Sequence, residues 1–482
     1  MYKHLLYIGC LLMAHIGVAQ STQNSVPTLS MSEAISKSLK NNYDILIEQK
    51  RQEDAEQLNS WGQAGRYPTV AFQGGGQSNY IDNKPANPFA LAGNNISNSI
   101  NAALNAEWTL FNGFRVNISK EQLEKMEAQS NQQAQMVIES AVEQTILAYY
   151  NVQLQEENLK VFKTVLDLSK DRVELVRLQR ELGSGTTFDV SQEETTFYND
   201  SSNFVNQELV VANAYRDLNL LMGEKQLNQT YQLTDKLSYK PQDYAYEDLL
   251  ERMQSQNSNL QRQYTTLALR QLEIRAQKTL RSPDVRLNAG YSGTQNWFTA
   301  DFPIRTESEV QIPAGVGPTD PVTWADFVNL FGGSDVEEGE TLTERQTNAG
   351  YSYGPFAQLN INIPIYTGGR NRRAIQSARL AYEQEQVNTT KVLQTLMNEL
   401  NKTYEQYLNR RELVELTEKS VAAADINLRL SKEQLEQGTI NSFDYRQVQT
   451  RYLNAAFRHL SAQYDLIQSN AALLRLTGGI VD

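Results

Sequence analysis

The chain has 482 residues but only one cysteine and three histidines. Cys10, His4 and His15 all lie near the N-terminus, so the remainder has no thiol and a single histidine, His459. Without thiols there is no disulfide and no thiolate metal site, and a lone histidine excludes a multi-histidine centre. No cofactor is expected. A Ser-His-Asp triad would have to use His459, which falls in a helical stretch and reads as a helix-surface or packing residue. After residue 19 there is no run of 18 apolar residues, so no helix is expected to cross a bilayer. Positive charge is short as well: 44 Lys and Arg stand against 56 Asp and Glu, net −12. No clustered basic face stands out, which speaks against a nucleic-acid partner.

What is present begins with an export signal. Lys3 and His4 give a short basic start, Leu5 to Val18 is almost wholly apolar, and Gly17-Val18-Ala19 places small residues for cleavage before Gln20. Residues 1–19 therefore read as a signal peptide. Cys10 also permits a lipidation reading, against which stand the short apolar run before it and the missing leucine. A chain exported in this way is periplasmic, secreted, or an outer-membrane β-barrel.

By length alone two or three domains would be expected; the sequence instead shows one unit written twice. Phe111-Asn112-Gly113-Phe114-Arg115 aligns with Tyr366-Thr367-Gly368-Gly369-Arg370 at an offset of 255. The same offset joins Gly183 to Gly438, Phe188-Asp189 to Phe443-Asp444, and Leu221-Met222-Gly223 to Leu476-Thr477-Gly478. Upstream the offset is 215 and pairs Asn42 with Asn257, Arg66 with Arg281, and Pro68 with Pro283. The difference is one insertion of 40 residues in the second copy. The copies are assigned to 20–245 and 246–482.

Each copy opens with a helical segment, 31–66 or 246–281, stopped by Pro68 or Pro283. Strands follow. Ile100, Leu104, Trp108 and Leu110 alternate with Asn101, Asn105, Glu107 and Thr109; Leu359, Ile361, Ile363 and Ile365 alternate with Gln358, Asn360 and Asn362. Period two with one apolar face is the β pattern. Each apolar run covers roughly ten residues, enough to cross a bilayer when tilted, although a half-buried soluble sheet reads the same.

Then come 113–182 and 368–437, without proline and with hardly any glycine past their first residues. Leu400, Tyr407, Val414, Val421, Leu428 and Leu435 sit seven apart, and the offset maps the middle four onto Val152, Leu159, Leu166 and Val173. A strict heptad predicts long antiparallel coiled-coil helices. Each reverses at a tight turn, with Gly183 or Gly438 as helix C-cap, Thr187 or Ser442 as the next N-cap, and Asp189 or Asp444 in its first turn. A long helix of about 69 residues matches a returning helix plus a leading helix, which predicts a needle about 100 Å long with hairpins at one end and helix tips at the other.

With these residues in place, the sequence resembles the TolC-like outer-membrane efflux family. The duplicated plan, Phe111-Asn112-Gly113 with Tyr366-Thr367-Gly368, and the tip from Leu435 to Tyr445 carry the resemblance, which covers roughly 29–478. It implies a mainly α protein with four membrane β-strands per protomer, assembled as a homotrimeric α/β-barrel. It implies a passive, non-enzymatic duct in the outer membrane, in contact with outer-membrane lipid, with its helical part in the periplasm. The duct would serve a tripartite efflux or type I secretion system, through a periplasmic adaptor and an inner-membrane transporter. It further implies a periplasmic gate at Asp444, with Gln447 where relatives often carry a second Asp, and Asp189 as the equivalent in the first copy. Adaptor docking falls to Gly183, Ser184, Gly185, Gly438, Thr439 and Ile440; Ile440 replaces a basic gate residue. For the aspartates the plain alternative is helix-dipole stabilisation, and for the glycines simple capping. A periplasmic coiled-coil scaffold without channel activity is the alternative for the whole chain.

Residues 298–349 hold ten acids against Arg305 and Arg345, −8 of the net charge. This insertion reads as a long extracellular loop, with a short helix at Trp324–Phe331. Trp108 and Trp297 read as aromatic-belt residues. The acids scattered along the helices read as solvated coiled-coil faces rather than general acid–base pairs.

Overall fold

The structure, a computed structural model, describes residues 26–83, 93–238, 240–303 and 343–481. The signal at 1–19, Cys10, and the helix expected at Trp324–Phe331 lie outside the described residues. In chain order the elements are β1 (Thr28–Leu29), α1 (Met31–Asn41), α2 (Tyr43–Leu58), β2 (Thr69–Asn83), β3 (Gly93–Phe111), α3 (Arg115–Glu181), α4 (Thr187–Leu221), β4 (Gln232–Leu233), α5 (Tyr246–Gln256) and α6 (Ser258–Lys278). A 3-10 turn (Thr279–Arg281) leads to β5 (Asp284–Pro303), β6 (Thr343–Asn362), α7 (Arg370–Glu436) and α8 (Ser442–Leu476). The chain forms two compact units. Among the described residues the first takes those up to Gln57, Lys125–Arg270 and those from Ala381; the second takes Leu58–Glu124 and Gln271–Leu380.

The first unit is helical, and each copy builds the same core. In one, Ala34, Val152, Leu218 and Met222 pack together; in the other, Leu249, Tyr407 and Leu473 do so. Every heptad residue from Leu400 to Leu435, and its mapped partner on α3, is buried or half-buried. Buried tyrosines pin the connecting segments. The Tyr149 hydroxyl donates to the Leu29 carbonyl (2.9 Å), and the Tyr407 hydroxyl donates to the Gln242 carbonyl (2.7 Å). Burial pushes the Tyr149 hydroxyl up to about 12, so it stays a donor. A short parallel pair, β1 with β4, adds to the first core.

The leading segments are not the single helices the sequence predicts. They break at Asn42 and Asn257, and both asparagines explain why. Asn42 Oδ1 accepts from the Asp44 N–H (2.9 Å), while its Nδ2 donates to the Leu221 carbonyl (2.9 Å). Asn257 accepts from Leu260 N–H (3.0 Å) and donates to the Leu476 carbonyl (2.9 Å). One side chain thus starts α2 or α6 and caps the last turn of α4 or α8, a gain no local signal carries. Gly223 permits the first joint: a Cβ there would lie 2.3 Å from the Asn41 carbonyl oxygen.

The second unit is an antiparallel four-stranded sheet of order β2-β3-β5-β6. Its strands run 15, 19, 20 and 20 residues, longer than the roughly ten expected. Cross-strand hydrogen bonding carries them past the apolar alternation into polar sequence such as Gln73–Asn79. Residues 298–303 and 343–349 of the expected insertion are strand, not loop, 298–303 pairing with 343–348 and Ala349 with Trp297; residues between them lie outside the described residues.

Candidate functional site

The two helix tips belong to the first unit and are built alike. Ser184 N–H donates to Gln179 O (2.9 Å) and Thr439 N–H to Gln434 O (2.9 Å), the closing bond of a Schellman turn. Gly183 (φ 81°) and Gly438 (φ 74°) supply the left-handed residue that turn needs. The Ser184 and Thr439 hydroxyls repeat those bonds, to Gln179 O (3.0 Å) and Gln434 O (2.9 Å). At Gly185 a Cβ would lie 3.0 Å from the Arg180 backbone N, so the first tip closes more tightly. Ile440 is half-buried.

The N-caps are Thr186 and Asn441, each one residue earlier than Thr187 and Ser442. The shift is the same at both tips, but the cap residues differ, and that difference separates the two aspartates. Asp189 completes a capping box: its Oδ2 accepts from the Thr186 N–H (2.9 Å) and hydroxyl (2.6 Å). The Thr186 side-chain and backbone hydrogen bonds hold its carboxyl below the ordinary range. At the second tip Asn441 Oδ1 accepts from the Asp444 N–H (2.9 Å). Asp444 is exposed, and among the described residues its carboxylate has no partner. Gln447, one turn on, is also exposed.

Behind the tips lies a buried polar cluster. Arg172 pairs with Glu193 and donates to Gln449 Oε1 (2.8 Å); Tyr445 stacks its ring 5.9 Å from the guanidinium. Arg446 grips Asp200 with both Nη atoms (2.8 and 2.9 Å), and Ser169 donates to the same carboxylate. Burial, and then neighbouring Arg446, pushes Arg172 down to about 10. Glu193 and Asp200 are 6% and 5% exposed, so these acids are not the solvated faces the sequence suggests. A signal was there. Glu193, Asp200 and Gln207 stand seven apart on α4 and occupy buried heptad positions, while Arg172 interrupts a stripe of Val165, Ser169 and Val176. His459 sits half-buried with Nδ1 3.2 Å from Thr417 Oγ1. Burial, opposed by Glu418, holds its pKa below the ordinary value.

In the second unit the register sorts the sheet into two faces. Phe72, Leu104 and Tyr291 lie opposite one another across three strands, as do Trp108, Leu287 and Leu359 across the other three. Val70, Phe72, Ile100, Leu104, Tyr353 and Ile361 are 50–74% exposed, an apolar face that no described residue covers. The other face carries Gln73, Asn101, Asn105, Asn288 and Gln358. Trp108 pairs with Leu287 and Trp297 with Asn98, so both indoles lie on the apolar side. From Leu287 to Trp297 is roughly 34 Å along the strand, or about 26 Å along the normal at a tilt near 40°, the height of a lipid-facing band. Edge strands β2 and β6 have no outer partner among the described residues.

A family model described as outer membrane efflux protein matches residues 34–224 and 332–479, more than half of the chain. Among solved structures, the CmeC outer membrane channel of Campylobacter jejuni has a TM-score of 0.66 at 16% identity, covering 93% of this chain and 85% of that one. The outer membrane protein VceC of Vibrio cholerae scores 0.63 at 14%, covering 93% and 96%. The MtrE outer membrane channel of Neisseria gonorrhoeae, in its open state, scores 0.63 at 16%, covering 93% and 89%. No curated protein matches the chain significantly.

Proposed function

The chain belongs to the outer membrane efflux protein family, and from that premise we propose that it is the passive exit duct of a tripartite efflux or type I secretion system. Cargo is delivered by an inner-membrane transporter through a periplasmic adaptor. The observation that carries this reading is the sheet: one bare apolar face, one polar face, and two open edges. Four strands cannot close a barrel, and an open edge is not tolerated in lipid. Three copies joining β2 to β6 make a twelve-stranded barrel with the apolar face toward lipid and the amide-lined face toward the duct. The chain does no chemistry.

At the periplasmic end we assign the gate to Asp444 and the docking surface to the two tips. Support comes from the contrast between the aspartates: Asp189 is committed to its cap, whereas Asp444 is exposed and uncommitted. Around a threefold axis three such carboxylates favour cations and repel anions. Gly183, Ser184, Gly185, Gly438, Thr439 and Ile440 present two similarly shaped turns to an adaptor.

The test is fractionation with cross-linking. A heat-sensitive trimer in the outer membrane is expected, and its deletion should raise susceptibility to exported compounds. A soluble monomer would leave the periplasmic scaffold as the correct reading.

A further inference from the structure

A cavity of about 440 Å³ lies in the second unit, where strands give way to helices, lined by Gly113, Phe114, Ile118, Glu121, Arg275 and Lys278 among others. Phe114 is the one non-glycine residue with positive φ (65°) among the described residues. A left-handed conformation is disfavoured for any side chain with a Cβ, most of all a bulky one. The second copy avoids the cost by placing Gly369 (φ 77°) at the matching position. Phe114 is also 68% exposed, so core packing does not repay the strain; its ring meets Phe111 edge to face, 5.5 Å between centroids. A strained, exposed aromatic three residues past the end of β3 has its use outside the chain.

Charge at the cavity identifies the use. Arg275 is paired with Glu121 through both Nη atoms. Lys278 is exposed and makes no ion pair among the described residues, so the lining carries one uncompensated positive charge. Exposed Arg115 and Arg281 directly follow Phe114 and precede Ser282, and in a chain of net −12 this is a local reversal of sign. The cavity sits just beyond the Trp108 row, at headgroup depth for a sheet embedded as proposed above, on which this inference rests.

We propose that this cavity binds an anionic phospholipid of the periplasmic leaflet, its phosphate on Lys278 and Arg275 and its first acyl carbons on Phe114 and Phe111. Glu121 does not repel the phosphate, because Arg275 covers it.

The full-length protein, delipidated in detergent, is titrated with dioleoyl phosphatidylglycerol, dioleoyl phosphatidylcholine or inorganic phosphate and read by native mass spectrometry. The wild type should prefer phosphatidylglycerol roughly fivefold per unpaired charge. Lys278→Glu should abolish that preference. Phe114→Gly should weaken retention of both lipids while unfolding no earlier than wild type, because the strain is gone. Equal affinity for the two lipids in the wild type, or full preference in Lys278→Glu, overturns the site. So does competition by inorganic phosphate as strong as by lipid, which would mark a bare ion site. Altered ion selectivity in a planar bilayer, with lipid preference intact, would make Lys278 a duct-lining charge instead. Fractionation of the wild type keeps the two readings apart: absence from the outer membrane removes the duct, whereas presence there without lipid preference removes only this site.

Discussion

Two aspartates at equivalent positions of the two copies have different surroundings. The Asp189 carboxylate accepts two hydrogen bonds from Thr186, whereas only the backbone N–H of Asp444 bonds its cap residue, donating to Asn441 Oδ1. Asp444→Ala should therefore change conductance or cation block in a planar bilayer. Asp189→Ala should leave conductance alone and speed hydrogen exchange in the first turn of α4; the opposite pattern would reassign the gate. The duplicated motif announces both residues, and the cap residue tells them apart: Thr186 donates to Asp189, whereas Asn441 only accepts from the Asp444 N–H. His459 carries a second residue-scale prediction. Its folded pKa lies below the unfolded value near 6.5, so the unfolded chain takes up the proton first as pH falls. Its contribution is thus favourable at neutral pH and is lost as pH falls below about 6.5. His459→Gln should lose less thermal stability than wild type between about pH 7 and pH 5.

Helix type, heptad and tips follow from period and glycine spacing, local properties that a sequence displays directly. The helix breaks at Asn42 and Asn257 do not, because asparagine breaks a helix here by capping a carbonyl some 180–220 residues away. Asn257→Ala should cost about 1–3 kcal/mol in thermal unfolding, the penalty for orphaning the buried Leu476 carbonyl. The Arg172 cluster belongs to the same scale. Glu193→Ala strands a buried guanidinium and should cost about 3–5 kcal/mol, while Arg172→Met with Glu193→Leu should recover most of it. A harmless single substitution would mean that water reaches the cluster.

For the assembled molecule, the two faces of the sheet make opposite demands. Leu104 lies between the Trp108 and Trp297 rows on the apolar side, and Asn105 on the polar side. Leu104→Arg should cost about 2–4 kcal/mol of membrane stability and deplete the outer-membrane trimer, whereas Asn105→Arg should assemble normally and alter conductance. Equal tolerance of both substitutions would contradict a lipid-facing sheet.

The sequence by itself determined the periodic features: duplication at offsets of 255 and 215, coiled-coil helices, alternating strands and the two tips. These repeat along the chain, so a window of neighbours suffices to see them. Tertiary structure alone decided which partners the buried heptad charges find, where the leading helices break, how far the strands run beyond their apolar core, and that Phe114, Arg275 and Lys278 line one cavity. Each of these depends on partners distant in sequence, and a hydrogen bond, an ion pair or a cavity exists only once the chain has brought them together.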